Sequence, residues 1–562
     1  MKLVPAHLAY YLQLRTARRN LRALRGYVLV LLAMITVYSI AFHLLMAAEG
    51  QRHSWLTGFY WTLTVMSTLG FGDITFESDA GRAFSILVLL SGVVYLLIVL
   101  PFAFIQLFFA PWLEARQAAR TPRRVPEGVQ GHMIVTHYDP IAISLTQRLA
   151  YHGRPYWVIE PDVKAAMDLH DAGVSVVVGD RDKVETYQAL RASHAALIVA
   201  TGDDHVNTNT AFTAREAAPE VPLVSIVRSA ESVDILELAG SSRVLHMPEL
   251  LGRALARRTL GGDVRASVIG RFGDLVIAEA PVTGTPLIGK RLADSRLREA
   301  TGLTVAGVWE RGRFQPPSAD TVLSSSTALV LAGTEAQLAA FTELMVIYSA
   351  PDAPVIILGG GRVGRAVASA LVEREVPWRI VEQNPAMVRD EAHYVVGSAA
   401  DRAVLERAGL ARAAAAVVTT NDDASNIYLT LYVRRLRPDI QIVSRATLER
   451  NVPTLHRAGA DFVMSYASMG ANAVYNVLES GDVLMLAEGL EVFRHPVPPS
   501  VVGRPLADTG IREATGCSVV ALETGSGTII NPPPETPLPS GAEIILIGTP
   551  AAERSFVQRF GR

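Results

Sequence analysis

The sequence predicts an α-helical two-transmembrane pore domain with a re-entrant pore helix, followed by two doubly wound α/β units that each carry a small α+β C-terminal lobe. Three observations predict this. Two apolar stretches, Tyr27 to Ala48 and about Ala80 to Phe109, are each long enough to cross a bilayer, which takes about 20 residues. Between them lies Ser67-Thr68-Leu69-Gly70-Phe71-Gly72-Asp73, where glycines alternate with bulkier residues. Beyond them, one pattern of strands and helices occurs twice.

The 562 residues suffice for roughly three to five domains. Mean hydropathy is positive although 19% of residues are charged, as expected when a membrane part is joined to a water-soluble part. A net charge of −2 implies no nucleic-acid partner. The single cysteine, Cys517, excludes an intrachain disulfide framework and a Cys cluster for zinc, and its apolar run reads as core.

Residues 1–26 carry Lys2, Arg15, Arg18, Arg19, Arg22 and Arg25 and no acid, which places the N-terminus in the cytoplasm. A cleaved signal peptide is the rival reading, but the apolar run exceeds the usual signal core of about 7–15 residues. His43, near the outer end of this run, reads as an interfacial residue. After a polar link, Glu49 to His53, the run Trp55 to Met66 is too short to span. It reads as a re-entrant helix, which is tolerated at membrane depth only inside protein or beside a water-filled cavity.

Glycine accepts φ > 0 without steric cost, so a Gly/non-Gly ribbon turns successive carbonyl oxygens to one side. Several such ribbons around an axis would replace the water shell of a cation. A glycine turn in a soluble protein is the alternative, and the flanking spans argue against it. Asp73, Glu77 and Asp79 against Arg82 form an acidic mouth that concentrates cations. The second span is longer than needed, so it tilts or extends into the cytoplasm. Pro101 is expected to kink or interrupt it, having no N–H to donate. Residues 111–130, with Arg116, Arg120, Arg123, Arg124, Pro122 and Pro126, read as a linker on the cytoplasmic side. Both flanks being basic requires an even number of spans, hence a multi-pass membrane protein with N- and C-termini cytoplasmic.

The repeat is explicit. Arg298-Glu299-Ala300-Thr301-Gly302 recurs as Arg512-Glu513-Ala514-Thr515-Gly516, and Trp157-Val158-Ile159-Glu160 matches Arg379-Ile380-Val381-Glu382. Thr201-Gly202-Asp203-Asp204 with Asn207 matches Thr420-Asn421-Asp422-Asp423 with Asn426. The expected lobes are 131–260 and 261–350 in the first unit, 351–480 and 481–562 in the second. Strands such as Val355-Ile356-Ile357-Leu358, Tyr394-Val395-Val396 and Ala415-Ala416-Val417-Val418 alternate with helices, indicating a parallel, Rossmann-like sheet.

The second unit carries Gly359-Gly360-Gly361-Arg362-Val363-Gly364, a G-x-G-x-x-G between a strand and a helix. Its glycines allow a tight turn and the approach of a pyrophosphate to a helix N-terminus. Glu382 ends the next strand, where a carboxylate grips a ribose 2′-hydroxyl. Gln383 and Asn384 follow, with no cation for a 2′-phosphate, favouring NAD or an adenine nucleotide over NADP. Arg362 is suited to neutralise phosphate charge. In the first unit Thr136-His137-Tyr138-Asp139-Pro140 stands in this place without glycine, so its pyrophosphate site is expected to be lost although Glu160 is kept. No acid–base pair or nucleophile set stands beside the Gly-rich loop, so an NAD-dependent enzyme is not the expected function.

Residues 67–73 resemble the selectivity filter of potassium channels, with Leu69 and Phe71 in place of the family's Val and Tyr. The repeated half resembles the RCK module, also called the Trk-type nucleotide-binding and C-terminal domains. Together the chain resembles prokaryotic two-transmembrane, tandem-RCK, ligand-gated potassium channels. The resemblance implies a homotetramer in the cell membrane, conducting K⁺ past the main-chain carbonyls of Thr68, Leu69, Gly70 and Phe71 and the Thr68 hydroxyl, with Gly72 and Asp73 completing the filter. It places a gating hinge at Gly92, for which close helix packing is the other reading. Leu96, Leu97 and Val99 are expected at the closed constriction or against lipid or another helix. Intracellular nucleotide at the second unit is expected to move the pore through the linker, or to serve only as a structural cofactor. Relatives that bind Ca²⁺ use carboxylates after the fifth strand, where this chain has Arg228 and Arg445. Calcium is therefore unsupported there, and the remaining Asp and Glu leave other sites open. A potassium-transport regulatory subunit is the rival, which would lack the two spans and filter.

Overall fold

The computed structural model describes residues 15–109, 122–259, 266–282, 284–310, 313–324, 326–346, 353–478, 483–485 and 490–561. The chain divides into two compact units, Met1–Pro122 and Arg123–Arg562. The part of the expected basic N-terminus up to residue 14, and the expected linker from 111 to 121, lie outside the described residues.

In the first compact unit, α1 (Arg15–Ala48) contains a 24-residue stretch, Arg25–Ala48, apolar enough to cross a membrane. It turns at Gly50 into α2 (Trp55–Met66), and α3 (Asp79–Gly92) follows the filter segment. A π-helical stretch, Val93–Val99, continues α3 into α4 (Leu100–Phe104) and a second π-helical stretch, Ile105–Phe109; Asp79–Leu107 forms the second candidate span. Of the kink or interruption expected at Pro101, a break in the helical backbone is not seen, since Val99 and Leu100 keep right-handed helical angles, but α-helical register gives way to π-helical register on both sides. The missing donor is accommodated by the wider hydrogen-bond register on either side: the Leu100 N–H reaches back to Tyr95 O. Phe42, Met46, Trp61, Met66, Phe76 and Val88 form a small core among the three helices. Leu29, Val37, Leu44, Leu87 and Leu90 remain exposed, an apolar exterior suited to lipid.

The second compact unit contains two parallel six-stranded sheets. The first is built from β1 (Met133–Val135), β2 (Tyr156–Glu160), β3 (Val176–Val178), β4 (Leu197–Ala200), β5 (Leu223–Val227) and β6 (Arg243–His246), in the order 3-2-1-4-5-6. Its C-terminal lobe is an antiparallel sheet of β7 (Ser267–Phe272), β8 (Leu275–Pro281), β9 (Thr304–Glu310), β10 (Arg313–Gln315) and β11 (Thr327–Gly333). The second parallel sheet repeats the order with β12 (Val355–Leu358), β13 (Trp378–Glu382), β14 (Tyr394–Val396), β15 (Ala415–Val418), β16 (Gln441–Ala446) and β17 (Phe462–Ser465). A second antiparallel lobe follows: β18 (Val483–Met485), β19 (Glu491–Pro496), β20 (Ser518–Thr524), β21 (Gly527–Ile530) and β22 (Glu543–Gly548). Continuous Val, Ile and Ala runs are what strands covered on both faces require, and the order puts a crevice at the C-terminal ends of the first and fourth strands.

The two halves exchange helices. In the first, α5 (Pro140–Tyr151) follows β1 and α6 (Met247–Arg257) follows β6; α7 (Arg362–Val372) and α8 (Tyr466–Leu478) are their counterparts. Helix α6 packs on α7, and α8 packs on α5. Small residues permit the approach: a Cβ on Gly252 would stand 2.4 Å from that of Ala366, and one on Gly470 would stand 2.6 Å from Cδ1 of Ile141.

Candidate conduction and nucleotide sites

Ser54 starts α2, its hydroxyl accepting from the Thr57 N–H at 3.3 Å. At the other end the chain folds back over the last turn: Thr68 N donates to Val65 O (3.0 Å) and Gly70 N to Thr64 O (3.2 Å). Thr68, Gly70 and Gly72 then take φ of +65°, +45° and +74°, while Leu69 and Phe71 do not enter the left-handed region. Such alternation turns successive peptide planes the same way and gathers carbonyls on one side. Thr68 is β-branched, so its positive φ is strained and marks a site the surroundings must hold.

Two aromatic residues of α2 tie down the segment that follows, at Phe71, Asp73 and Ile74, and sequence reasoning missed both. Tyr60 donates its hydroxyl to Asp73 Oδ2 (3.0 Å), and its ring lies parallel to Phe71 with centroids 6.4 Å apart. Trp61 Nε1 donates to Ile74 O (3.2 Å). The signal was the Tyr-Trp pair just ahead of the glycines, within the run that reads as a re-entrant helix. His43 is more engaged than an interfacial residue: its ring nitrogens lie 2.8 Å from Ser39 O and 3.0 Å from Ser54 O, tying α1 to the start of α2. Gly92 is buried against Met66, and its backbone is ordinary right-handed helix (φ −63°, ψ −49°). Leu97 lies in the π-helical stretch and is half exposed, and Pro101 stands at the start of α4.

The residues expected to bind nucleotide converge on a cleft of about 1300 Å³ at the C-terminal edge of the second parallel sheet. Gly359 takes φ +112°, and a Cβ on Gly364 would fall 1.9 Å from Gly359 O, so the third glycine is needed for α7 to approach the strand. Nothing stands within 4 Å of a Cβ built on Gly361, the N-cap of α7, and no side chain bonds this helix start. Its free N–H groups, with Arg362 and Val363 in the first turn, face the cleft. Glu382 Oε2 accepts from Gly360 N (2.6 Å) and Oε1 from Asn384 N (2.8 Å), holding the carboxylate beside the loop. Arg365, absent from the expected set, donates to Gly360 O (2.7 Å), and Thr419 Oγ1 donates to Gly359 O (2.9 Å).

The first unit fills the equivalent places with its own side chains. Asp139 caps α5, accepting from Ala142 N at 2.8 Å, so a carboxylate already occupies the anion position at that helix start. Burial pushes its carboxyl up to about 6. Glu160 pairs with Arg181 at 3.6 Å, and Arg181 Nε donates to Thr136 O at 2.6 Å, across the turn that a nucleotide would enter. Arg228 and Arg445 prove not to be counterparts. Asn207 Nδ2 donates to Ile226 O and Asn426 Nδ2 to Arg445 O, so Arg445 lies within β16 at the level of Ile226, whereas Arg228 follows β5. Among the described residues no group of three or more His, Cys, Asp or Glu is placed to hold a metal ion.

Fold and sites together define an ion channel whose pore segment is followed in the chain by a paired Rossmann-type part. Models of three families match: "Ion channel" at 27–108, "TrkA-N domain" at 133–247 and 355–466, and "TrkA-C domain" at 277–346 and 490–561. The solved GsuK channel is 41% identical, covers 96% of this chain, and is itself covered to 99%, with a TM-score of 0.60. The GsuK channel bound to NAD is 40% identical, with 97% and 100% coverage and a TM-score of 0.58. Potassium channel protein 1 of Methanocaldococcus jannaschii is 28% identical over 208 residues, 34% of this chain and 62% of that protein. The chain thus spans about three-fifths of the length of that curated relative. It belongs to the family of channels, GsuK among them, that join a two-helix pore to tandem TrkA-N and TrkA-C domains.

Proposed function

We propose that the chain forms a homotetrameric, K⁺-selective channel with both termini cytoplasmic, gated by NAD or an adenine nucleotide bound at the second unit. The alternating positive φ at Thr68, Gly70 and Gly72 carries the conduction reading, since it gathers carbonyl oxygens as a dehydrated cation requires. Gly70 and Gly72 with Leu69, Phe71 and Asp73 complete the filter, and Leu97 approaches the constriction. The uncapped start of α7, with Gly359, Gly360, Gly361, Arg362, Val363, Gly364 and Glu382, supports the nucleotide reading, as does a 40% identical channel bound to NAD. A ligand gates only through different affinities for the closed and open states, so binding must differ between them. Purified channel in planar bilayers is the test, with NAD and ADP washed on and off the cytoplasmic face. A reversal potential following K⁺ and an open probability that changes with nucleotide, less so in Glu382→Ala, are the expected results. An open probability indifferent to nucleotide that nevertheless binds would leave a structural cofactor.

A further inference from the structure

We propose that Arg445 is a recognition group for the phosphate chain of the ligand, making the cleft favour a nucleoside triphosphate over a diphosphate or a dinucleotide. The inference rests on the nucleotide reading of this cleft and concerns what that site prefers.

Arg445 lines the cleft, and its Nε is sealed from solvent with no hydrogen-bond partner. Its guanidinium lies over the Tyr466 ring, 5.5 Å from the centroid, and makes no ion pair among the described residues. The carboxylate acting on it, Asp423, is already engaged, accepting from Thr447 N (2.7 Å), Leu448 N (3.0 Å) and Asn451 Nδ2 (2.7 Å). The other charged groups around Tyr466 are also engaged: Arg228 pairs with Asp203 at 2.6 Å, Asp139 caps α5, and Asp204 accepts from Arg228 N and Ser229 N. A cation withdrawn from water without a counter-charge is costly, and an arriving anion would relieve that cost.

Sheet register places this cation where a phosphate chain would run. Leu358 pairs with Val418 and Val418 with Ser444, so Gly359, Thr419 and Arg445 are level, one residue beyond the paired positions. Neighbouring strands lie about 4.8 Å apart, which puts Arg445 roughly 10 Å across the edge from Gly359, on the side away from Glu382. Ile357, Val417 and Val443 belong to the core that also contains Val363 and Val367 of α7, so by alternation Gly359 and Arg445 share the face on which α7 begins. A ribose at Glu382 and a diphosphate at the uncapped helix start would direct the next group toward Arg445. A third phosphate there meets a guanidinium that binds phosphate in a two-pronged fashion, whereas a diphosphate ends short of it and the second half of a dinucleotide brings a neutral ribose.

Calorimetric titration of the full-length protein in detergent with ATP, ADP and NAD tests this, in wild type, Arg445→Met and Arg445→Lys. Methionine keeps an apolar stem over Tyr466, and lysine keeps the charge without the fork. Wild type should bind ATP about tenfold or more tighter than ADP and NAD, as expected for one hydrogen bond to a charged group. Arg445→Met should abolish most of that difference and Arg445→Lys restore part of it. Wild type binding ADP or NAD as tightly as ATP would overturn the inference whether or not the variants fold, as would equal losses for all ligands in a folded Arg445→Met. Failure of every nucleotide to bind wild type would overturn the reading of the site itself, and the inference with it.

Discussion

Gly92 of α3 abuts Met66 at the end of α2 so closely that a Cβ added to Gly92 would stand 2.4 Å from Cα and 2.7 Å from the carbonyl oxygen of Met66. The neighbour is backbone and cannot rotate away, and Met66 itself is fully buried. Of the two expectations for this glycine, hinge and close packing, the closed contact gives the second a direct physical basis, although α3 also passes into π-helical register at this point. Gly92→Ala should cost about 1–3 kcal/mol by overpacking. Thermal melting of the detergent-solubilised protein checks it, with Gly26→Ala, where a Cβ meets nothing within 4 Å, as the neutral control.

Tyr60→Phe removes the hydrogen bond to Asp73 while keeping the ring parallel to Phe71. Losing that bond should cost about 0.5–1.5 kcal/mol at the filter. The expected outcome is normal assembly with a reduced K⁺/Na⁺ permeability ratio, read from reversal potentials. Gly70→Ala should act more strongly, because a side chain in left-handed conformation costs roughly 1–2 kcal/mol.

Each chain should bind a single nucleotide, at the second unit. Asp139→Ala removes the α5 cap and should destabilise by about 0.5–2 kcal/mol. It should not create a second binding site, since Pro140 and the missing glycines remain and Arg181 still crosses the turn. Titration stoichiometry on wild type and on Asp139→Ala checks both statements.

Stability should also depend on pH through the second C-terminal lobe. Burial, and after it the Glu491 carboxylate, push Glu553 up to about 7. The folded state therefore holds this proton more tightly than the unfolded chain, where a glutamate titrates near 4.3. The stabilisation is complete below about pH 4.3 and is lost as pH rises through about 7. Glu553→Gln, which is never ionised, should melt at a higher temperature than wild type at pH 8, with the gap closing toward pH 5.

The parts of this molecule that depend on backbone freedom were legible in the sequence. Gly70, Gly72 and Gly359 announce their conformations because few other residues tolerate them, and Gly364 announces the close approach of helix to strand that a side chain would block. What was not legible depends on partners distant in the chain. Arg181 reaching Thr136, and Tyr60 reaching Asp73, are side-chain choices set by tertiary packing. Pro140 gave a hint that the first unit had lost its phosphate loop, but nothing in the local pattern showed Asp139 standing in for the anion. Pro101 announced a disturbance of the helix but not its form, because a proline rule framed for α-helical hydrogen bonds does not anticipate a wider register on both sides of it.

The exchange of helices between the two halves has a consequence for biosynthesis. The core around Met133, Val135, Ile141, Leu145 and Leu149 is closed by Ala471, Val474 and Tyr475 of α8, which leave the ribosome long after β1 and α5. Until then the first half emerges with an apolar helix face uncovered and cannot complete its folding domain by domain, as chains made N-terminus first commonly do. Nascent chains halted before Tyr466 should accordingly be held by chaperones or digested, and a premature stop in α8 should destroy the first half together with the second.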